Sequence, residues 1–310
     1  MDALSDILDL LKFRGSLYFT TEFSAPWGIQ VPKYQNVARF HLASGGDCWV
    51  NVEGANDPVL LSSGDMIIIP HGAAHTLSNA MDTPIISLDK ALEIAGYTGE
   101  GHFIYGGDGS GYGHLVCGHF EFDPRFNHPL LSDLPPFILI KGSDAIEFSW
   151  FENAMRYMGY ESSGALMGGQ AIVKRLSEIL LIHAVRAWAA NSDNDSGVLQ
   201  ALGDKHIGKG LKKFHEAPGD VWTIELLAGQ SGLSRSVFAD RFRSMMGMTP
   251  MQYVTDWRMQ KACQFLIESE LSTDAIAETV GYQSLASFSK VFKKTVGTGP
   301  GQYRRQNQVQ

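Results

Sequence analysis

The stretch AIAETVGYQSLASFSKVFKKTVGTGPGQYRR, residues 275–305, carries the pattern that decides the fold of this chain. The same pattern occurs earlier, within WTIELLAGQSGLSRSVFADRFRSMMGMTPMQYVTDWRMQKA, residues 222–262. Seven residues recur in one order with a single inserted residue: Ala228, Gly232, Phe238, Phe242, Gly247, Pro250 and Tyr253 match Ala277, Gly281, Phe288, Phe292, Gly297, Pro300 and Tyr303. This ordered recurrence indicates that the last hundred residues contain two copies of one structural unit.

Each copy has the features of two helices joined by a tight turn. Gly232 and Gly281 can adopt the left-handed conformation that ends the first helix. Ser234 and Ser284 can then cap the second helix, whose paired phenylalanines lie four residues apart and anchor it to a small core. The pattern therefore predicts two helix-turn-helix units, and residues 249–267 are predicted to form a helix that joins them.

The second helix of such a unit enters the major groove of DNA through its N-terminal half. Its exposed polar and small residues can contact base edges, and basic residues beyond it suit phosphates. Any one of these residues could equally be ordinary surface. The predicted DNA-binding residues are Arg235, Ser236, Ala239, Asp240, Arg243, Gln283, Ser284, Leu285, Ala286, Ser287, Lys290, Lys293, Lys294 and Arg304.

The charge distribution agrees with double-stranded DNA as a partner. The whole chain has a formal net charge of −8, yet residues 205–310 hold 14 basic and 9 acidic residues. The remaining residues 1–204 hold 11 basic and 24 acidic residues. An acidic front part joined to a basic rear part is typical of a protein whose rear part meets a polyanion.

Length and composition indicate two globular domains in a cytoplasmic protein. The 310 residues exceed one ordinary domain. The three cysteines Cys48, Cys117 and Cys263 are too few and odd in number for a disulfide framework. Residues 1–11 interrupt their leucines with aspartates, so they do not resemble a signal peptide. No apolar run approaches the ~20 residues of a membrane span, so no membrane partner is expected.

The first third of the chain reads as short strands of a sandwich or barrel. Residues 38–42, 48–52 and 66–69 are apolar segments between turn residues, and the glycine-rich residues 96–118 are expected to include a long loop. A motif of defined spacing follows, formed by Gly64, Pro70, Gly72, His75 and Asn79. This motif resembles the second sequence motif of cupin barrels at every defined position, which implies that His75 projects into the barrel.

Histidine and cysteine residues of the predicted barrel could bind a metal ion. Metal-binding cupins place a second histidine two residues after the first, but here His41 is followed by Ala43, so the usual set is incomplete. His41, Cys48, His75 and Cys117 could together bind Zn²⁺. The alternative is a ligand-free core in which the histidines and the two buried thiols only pack.

Helical patterns follow the strands. Residues 150–158 and 170–190 have apolar residues near a 3.6-residue period, and the polar residues 191–197 are a candidate hinge. Residues 172–188 could form the contact of a homodimer or could pack against their own barrel.

Residues 205–305 resemble the DNA-binding domain of the AraC/XylS family through the two repeated segments quoted above. The segments GSLYFTTEFSAPWG, HLVCGHFEF, HPLLSDLPPFILI and QAIVKRLSEILLIHAVRAW resemble the cupin-type sensor domain of one branch of that family. Asp240 departs from the basic residue common at its position, which leaves the base preference of the first unit open.

The resemblance implies a two-domain α+β protein. Residues 1–190 would form a cupin-like sensor and dimerisation domain, residues 191–204 a linker, and residues 205–310 the DNA-binding domain. It also implies a transcription activator that responds to a small molecule or metal in the barrel, forms a homodimer and contacts RNA polymerase.

Two other hypotheses remain. One is a cupin-type metalloenzyme with an appended DNA-binding domain, but the incomplete histidine set and the lack of a nucleophile motif count against it. The other is a purely architectural DNA binder, which would have no need of a barrel.

Overall fold

The chain folds into two compact units. A computed structural model describes residues 2–99, 101–109, 111–125, 128–142, 153–154, 157–158, 160–161, 167–191 and 197–307. The first unit, called the barrel unit, comprises Phe13–Asp123 and Leu134–Ser192. The second, called the helical unit, comprises Met1–Lys12, Pro124–Asp133 and Asp193–Gln310. Each unit is therefore assembled from separate stretches of the chain.

The barrel unit is built from antiparallel strands in two sheets. Its strands are β1 (Arg14–Ser24), β2 (Gly28–Val31), β3 (Val37–Gly45), β4 (Cys48–Val52), β5 (Val59–Leu61), β6 (Met66–Ile69), β7 (His75–Ser78), β8 (Ile86–Ser87), β9 (His102–Gly106), β10 (Tyr112–Glu121) and β11 (Ile138–Ile140). Among the described residues, one sheet has the order β11-β6-β3-β10-β1-β9 and the other the order β5-β4-β7-β2-β8. Only β1–β9 and β2–β8 pair in parallel within these sheets.

The inner faces of both sheets form one hydrophobic core. Val50 from β4, Ile67 and Ile69 from β6 and Leu115 from β10 are each at most 1% exposed. Every residue of β6 is buried, which matches its unbroken apolar sequence. The predicted β-rich front part is thus confirmed, and the burial of this apolar area stabilises the barrel.

β9 and the first part of β10 lie within residues 96–118, the stretch that was predicted to include a long loop. β9 pairs with β1, and β10 pairs with both β1 and β3. The glycines of β10 meet aromatic rings: an added Cβ at Gly113 would lie 2.9 Å from Trp27 Cζ2, and one at Gly118 would lie 2.4 Å from Phe40 Cζ. These two glycines therefore permit close packing against large core side chains, and they are not turn residues.

The cupin-like motif holds a turn between the two sheets. Asn79, its last residue, accepts a hydrogen bond from the backbone N–H of Trp27 at 2.7 Å. His75, at the start of β7, is 2% exposed and directs its side chain inward, as predicted. The motif thus fixes β7 beside β2 and places one histidine inside the barrel unit.

Helix α2 (Leu88–Ala95) follows β8, and the longer helix α4 (Gly169–Asn191) packs against β1 and β11 of the barrel unit. On α4, Val173, Leu180 and Ala184 are at most 1% exposed and lie on one face. Packing on its own barrel, one of the two interpretations of this stretch, therefore accounts for that face. Ile179 on the same helix remains 44% exposed.

The helical unit contains both ends of the chain. Its helices are α1 (Ala3–Leu11), α3 (Pro129–Asp133), α5 (Val198–Gly203), α6 (Ile207–Glu216), α7 (Ile224–Ser231), α8 (Arg235–Met246), α9 (Pro250–Glu268), α10 (Thr273–Thr279), α11 (Leu285–Val296) and α12 (Pro300–Asn307). The predicted connecting helix of residues 249–267 corresponds to α9, with Pro250 in its first turn. None of the described helices has the length and apolar character needed to cross a membrane.

The division of the chain differs from the boundaries expected from the sequence. Helix α1 contacts α5, α6 and α9, and α3 contacts α5, so residues 1–12 and 124–133 group with the C-terminal helices. Ile7, Leu10 and Leu11 of α1 are at most 1% exposed, which explains the docking of this amphipathic helix. Residues 198–203 of the predicted linker form α5. The predicted hinge and the helix of residues 150–158 lie largely outside the described residues.

Candidate nucleic-acid interface

The first helix-turn-helix unit consists of α7, a turn and α8. The hydroxyl of Thr223 accepts a hydrogen bond from the N–H of Leu226 at 3.2 Å and caps α7. Gly232, with a φ of 66°, ends α7 in the left-handed conformation, as predicted. Ser234 occupies the position before α8, but its side chain makes no capping bond, unlike the prediction. The turn directs α8 away from α7 and leaves its first turn exposed.

The second unit repeats this construction with α10 and α11. Ser272 accepts from the N–H of Ala275 at 3.1 Å and caps α10. Ser284 accepts from the N–H of Ser287 at 3.2 Å, so the predicted cap of α11 is present. Ser284 therefore has a structural role at the start of α11 whatever its contact with DNA. We call α8 and α11 the reading helices.

Each reading helix is anchored by a row of aromatic rings. The ring centroids lie 5.7 Å apart for Phe238–Phe242, 5.9 Å for Phe242–Tyr253, 5.5 Å for Phe288–Phe292 and 5.6 Å for Phe292–Tyr303. All four phenylalanines are at most 1% exposed. The repeated residues of the sequence thus form equivalent cores, and each core fixes which side of its reading helix faces outward.

The outer face of α8 carries the residues predicted for the first unit. Arg235, Ser236, Asp240 and Arg243 are exposed, and Ala239 is half-buried. The Nε atom of Arg235 lies 3.0 Å from Oε1 of Glu225 on α7, and both side chains are well exposed. Exposed ion pairs contribute little free energy, so Arg235 can exchange this partner for a phosphate or base at small cost.

The outer face of α11 carries the residues predicted for the second unit. Gln283, Ser284, Leu285, Ala286, Ser287 and Lys290 are all exposed around its first turns. Lys293 and Lys294 are exposed in its last turn. The second reading face is therefore polar near its N-terminal end and basic towards its C-terminal end.

Arg304 has backbone partners that account for its position. It is half-buried, its Nε donates to the carbonyl of Leu266 at 3.3 Å, and its Nη2 donates to the carbonyl of Leu271. These bonds hold α12 to the end of α9. The predicted phosphate contact of Arg304 stays a prediction, and its neighbour Arg305 is exposed.

Three of the four predicted metal ligands meet inside the barrel unit. His41 on β3 pairs in register with Cys117 on β10, and Cys117 Sγ lies 3.1 Å from His41 Nδ1. His41 Nε2 lies 2.8 Å from Nε2 of His75, which comes from the other sheet. His75 Nδ1 lies 2.8 Å from the carbonyl oxygen of Ala73.

One arrangement of protons satisfies this cluster. A carbonyl only accepts, so His75 donates from Nδ1 and accepts at Nε2 from His41, whose Nδ1 in turn accepts from the Cys117 thiol. Burial lowers the pKa of His75 to about 4. Burial likewise lowers the pKa of His41 well below its usual value, with a smaller contribution from the charge that His75 would carry when protonated. Burial also raises the pKa of Cys117. All three groups are therefore neutral near pH 7.

This geometry does not match the predicted zinc site. His41 directs its two nitrogens at different partners, so the donor atoms do not converge on one point. Cys48 instead contacts the carbonyl of Trp49 at 3.5 Å, and burial raises its pKa to about 12. Within the described part of the chain, no group of three or more His, Cys, Asp or Glu side chains is arranged to hold a metal ion.

Comparison with known proteins gives a match to two family profiles. The family profile described as cupin matches residues 2–190, and the one described as helix-turn-helix domain matches residues 227–306. A putative AraC-like transcription regulator of Streptomyces antibioticus is 30% identical over 312 residues, covering 98% of this chain and 99% of that protein. This chain belongs to the AraC family of transcription regulators.

The chain of this AraC-family regulator is also similar to two further proteins. The RCS-specific HTH-type transcriptional activator RclR of Escherichia coli (strain K12) is 27% identical, covering 98% of this chain and 97% of that protein. The DNA-binding domain of AdpA, solved in complex with a target DNA, is 27% identical with a TM-score of 0.32, covering 33% of this chain and 93% of that chain. The regulator is a DNA-binding protein with a cupin domain ahead of its helix-turn-helix domain.

The helical unit of the regulator contains a buried chain of hydrogen bonds. At one end, the backbone N of Leu130 lies 3.2 Å from His128 Nδ1, and His128 Nε2 lies 3.3 Å from Tyr253 Oη. Tyr253 Oη lies 2.9 Å from His215 Nε2, and His215 Nδ1 lies 2.9 Å from Asp6 Oδ2. At the other end, Lys261 Nζ lies 3.2 Å from Asp6 Oδ1. Because the Leu130 amide donates, His128 carries its proton on Nε2, and every later bond has one consistent direction. The chain joins α1, α3, α6 and α9.

A second polar contact orients the first reading helix. Asp204 accepts from the backbone N–H groups of His206 and Ile207 and so caps α6. Arg241 of α8 forms an ion pair with the same carboxylate, whose hydrogen bonds from Arg241 lower the pKa of Asp204 to about 2. Arg241 thus ties the back of α8 to α6 while the outer face stays exposed.

Sequence reasoning missed both contacts of the regulator. Asp204 has a local signal, because an aspartate two or three residues before a helical pattern is a capping signature. Asp6 and His215 lie 209 residues apart in the sequence, so no spacing rule could have joined them.

Proposed function

We propose that the regulator binds two adjacent segments of the major groove of one DNA site through α8 and α11. The observation that carries this proposal is the repeated geometry: each reading helix buries its phenylalanines and exposes its N-terminal half. Polar groups on these exposed halves can discriminate bases, with Gln283 suited to adenine and Asp240 suited to cytosine. The basic residues of α11 add phosphate contacts.

The connecting helix supports a two-site arrangement. With 19 residues, α9 is about 28 Å long at 1.5 Å per residue. Successive major-groove segments on one face of DNA lie about 34 Å apart. Reading helices attached at the two ends of α9 could therefore bind neighbouring segments of the major groove without a second protomer.

The individual reading residues follow from the same proposal. Base contacts are assigned to Arg235, Ser236, Ala239, Asp240, Gln283, Leu285, Ala286 and Ser287, and phosphate or groove-edge contacts to Arg243, Lys290, Lys293 and Lys294. Exposure and position on the reading helices support this assignment.

The salt dependence of DNA binding tests this assignment. Removing two phosphate contacts with Lys293→Ala and Lys294→Ala should reduce the slope of log K against log salt by about 2, because each phosphate contact contributes about 0.9. Affinity for all sequences should fall by a similar factor, since phosphate contacts carry no sequence information. Filter binding or fluorescence anisotropy with the full chain at several salt concentrations measures both quantities.

A matched control comes from the same unit. Lys209 and Lys212 on α6 are exposed and lie outside the reading helices, so the double variant Lys209→Ala and Lys212→Ala removes the same two charges without removing a predicted contact. Its salt slope should equal that of the unaltered protein. An equal reduction in both proteins would show that net charge alone, and not the basic end of α11, determines the slope.

We further propose that the regulator responds to a small molecule in the barrel unit, activates transcription with RNA polymerase and acts as a homodimer. The cupin match supports the sensor role, and the name of the Escherichia coli relative supports activation. The exposed Ile179 on α4 supports a dimer contact. Transcription in vitro with purified RNA polymerase should rise when the regulator is added to its operator, and a fall would contradict the activator proposal.

A further inference from the structure

The helical unit contains a cavity of about 420 Å³ along α9. One wall consists of Tyr253, Asp256 and Trp257 of α9, and Pro129 and Ser132 of α3 lie on another side. Its volume falls within the range of about 300–1,000 Å³ that small-molecule sites occupy. The cavity belongs wholly to the unit that carries the reading helices and is separate from the interior of the barrel unit.

The same cavity touches the ends of both reading helices. Met248, which lines it, follows Gly247, the residue that ends α8. Thr295, which also lines it, lies in the last turn of α11. The C-terminal end of a helix carries a partial negative charge from its unpaired carbonyl groups, which favours a cation. The basic side chains of these last turns, Arg243, Lys293 and Lys294, are exposed and do not line the cavity.

The side chains of the cavity add negative charge and no fixed positive charge. Asp256 is half-buried, and burial raises its pKa more than the hydrogen bond from Gln252 lowers it. His128 is neutral, because burial lowers its pKa to about 3 and both ring nitrogens are already hydrogen-bonded. Among the described lining residues there is no lysine or arginine, and the nearby Lys261 is bonded to Asp6.

The rest of the lining is polar at Ser132, Gln260 and Thr295 and apolar or aromatic elsewhere. Trp257, Met248 and Pro129 present ring, thioether and pyrrolidine surface, which suits the hydrocarbon or aromatic body of a ligand. A simple metal ion is a poor occupant, because Asp256 is the single lining carboxylate among the described residues and His128 has no nitrogen to offer. An anion would face Asp256 and two negative helix ends.

We propose that this cavity is a binding site for a small organic amine in its ammonium form. The ammonium group would lie at Asp256 and the helix ends, and the apolar body would lie against Trp257 and Met248. Occupancy would brace the C-terminal ends of α8 and α11 against α9. Binding of the amine itself is independent of the proposed DNA contacts; only its effect on DNA affinity depends on them.

Matched test compounds can decide the chemistry of the site. The compounds are 2-phenylethylammonium and hexylammonium, their alcohols 2-phenylethanol and hexanol, and phenylacetate as an anion. Titration of the full chain by calorimetry should show saturable binding of at least one ammonium ion, about ten-fold tighter than its alcohol. Phenylacetate should not bind measurably. If neither ammonium ion binds more tightly than its alcohol, the proposal is wrong.

Two variants locate the binding. Asp256→Asn keeps the shape of the side chain and should lower the affinity for the ammonium ion to that for the alcohol. Ser132 is an exposed lining residue on α3, so Ser132→Trp should fill the cavity and weaken the binding of every test compound. Thermal unfolding of both variants verifies that they fold. The proposal is wrong if Asp256→Asn still binds the ammonium ion more tightly than its alcohol. It is also wrong if Ser132→Trp binds the test compounds as tightly as the unaltered protein, because the ligand would then lie elsewhere.

Coupling to DNA provides a separate readout. If the amine braces the reading helices, the ammonium ion that binds should change the affinity of the full chain for its operator, and Asp256→Asn should remove that change. Thermodynamic reciprocity requires that operator DNA change the affinity for the amine by the same factor. Amine binding without any such change would retain the site and contradict the bracing.

Discussion

Phe288→Ala is expected to destabilise the second helix-turn-helix unit by about 3–5 kcal/mol, the cost of truncating a fully buried phenylalanine. Phe288 has no exposed surface, and its ring contacts Tyr282 and Phe292 at centroid distances of 5.7 and 5.5 Å. A loss of this size is a large fraction of the stability of an ordinary domain. Denaturant unfolding followed by circular dichroism measures it, and binding to operator DNA should weaken in parallel because α11 loses its anchor.

A control on the same helix separates packing from helix propensity. Leu285 is 41% exposed on the outer face of α11, so Leu285→Ala should change the free energy of unfolding by less than about 0.5 kcal/mol. If Phe288→Ala costs no more than Leu285→Ala, the phenylalanine row does not anchor the reading helix.

The second large effect is expected from Asp6→Asn in α1. Asp6 is the shared acceptor of His215 and Lys261, and its side chain is 9% exposed. Removing one member of a buried ion pair costs about 3–5 kcal/mol, because the remaining charge keeps its desolvation without its partner. Chemical denaturation at pH 7 should therefore show a loss of about 3 kcal/mol in the helical unit. Asp9→Asn, at an exposed position of the same helix, should be nearly neutral.

The pH dependence of this effect has a defined sign. Burial raises the pKa of Asp6, but the hydrogen bonds from His215 and Lys261 and the charge of Lys261 outweigh it, so the pKa is lowered. The contribution of the carboxylate is then fully present above the unfolded pKa of about 3.9 and is lost as the pH falls through the lower folded value. The gap in stability between the two proteins should shrink below about pH 4. A gap that is constant down to pH 3 would show that the charge of Asp6 does not matter.

Local signals predicted the duplicated units well. Ser284 caps α11 and Gly232 ends α7 as predicted, whereas the side chain of Ser234 makes no capping bond. Capping and left-handed turns depend on residues within a few positions of each other, so a sequence displays them directly. The repeated spacing of the phenylalanines likewise fixed which face of each reading helix is buried.

Features that depend on distant residues were not predictable in the same way. Nothing near His41 in the sequence shows that its two ring nitrogens form hydrogen bonds with Cys117 and His75. The four predicted zinc ligands therefore have donor atoms that do not converge on one point. The basic character of Arg304 predicts a phosphate contact, but does not show that the carbonyls of Leu266 and Leu271 lie close to it in the fold. The docking of α1 through Asp6 depends on a partner more than two hundred residues away.

Selection of binding sites from a random double-stranded DNA library tests the central claim of two reading helices most directly. The full chain should be used, because α1 and α3 belong to the helical unit. Enriched sites should contain two different sequence blocks about 10 base pairs apart. Gln283→Ala should relax the preference in one block and Asp240→Ala that in the other. A single enriched block, or salt-sensitive binding without sequence preference, would contradict reading by two helices.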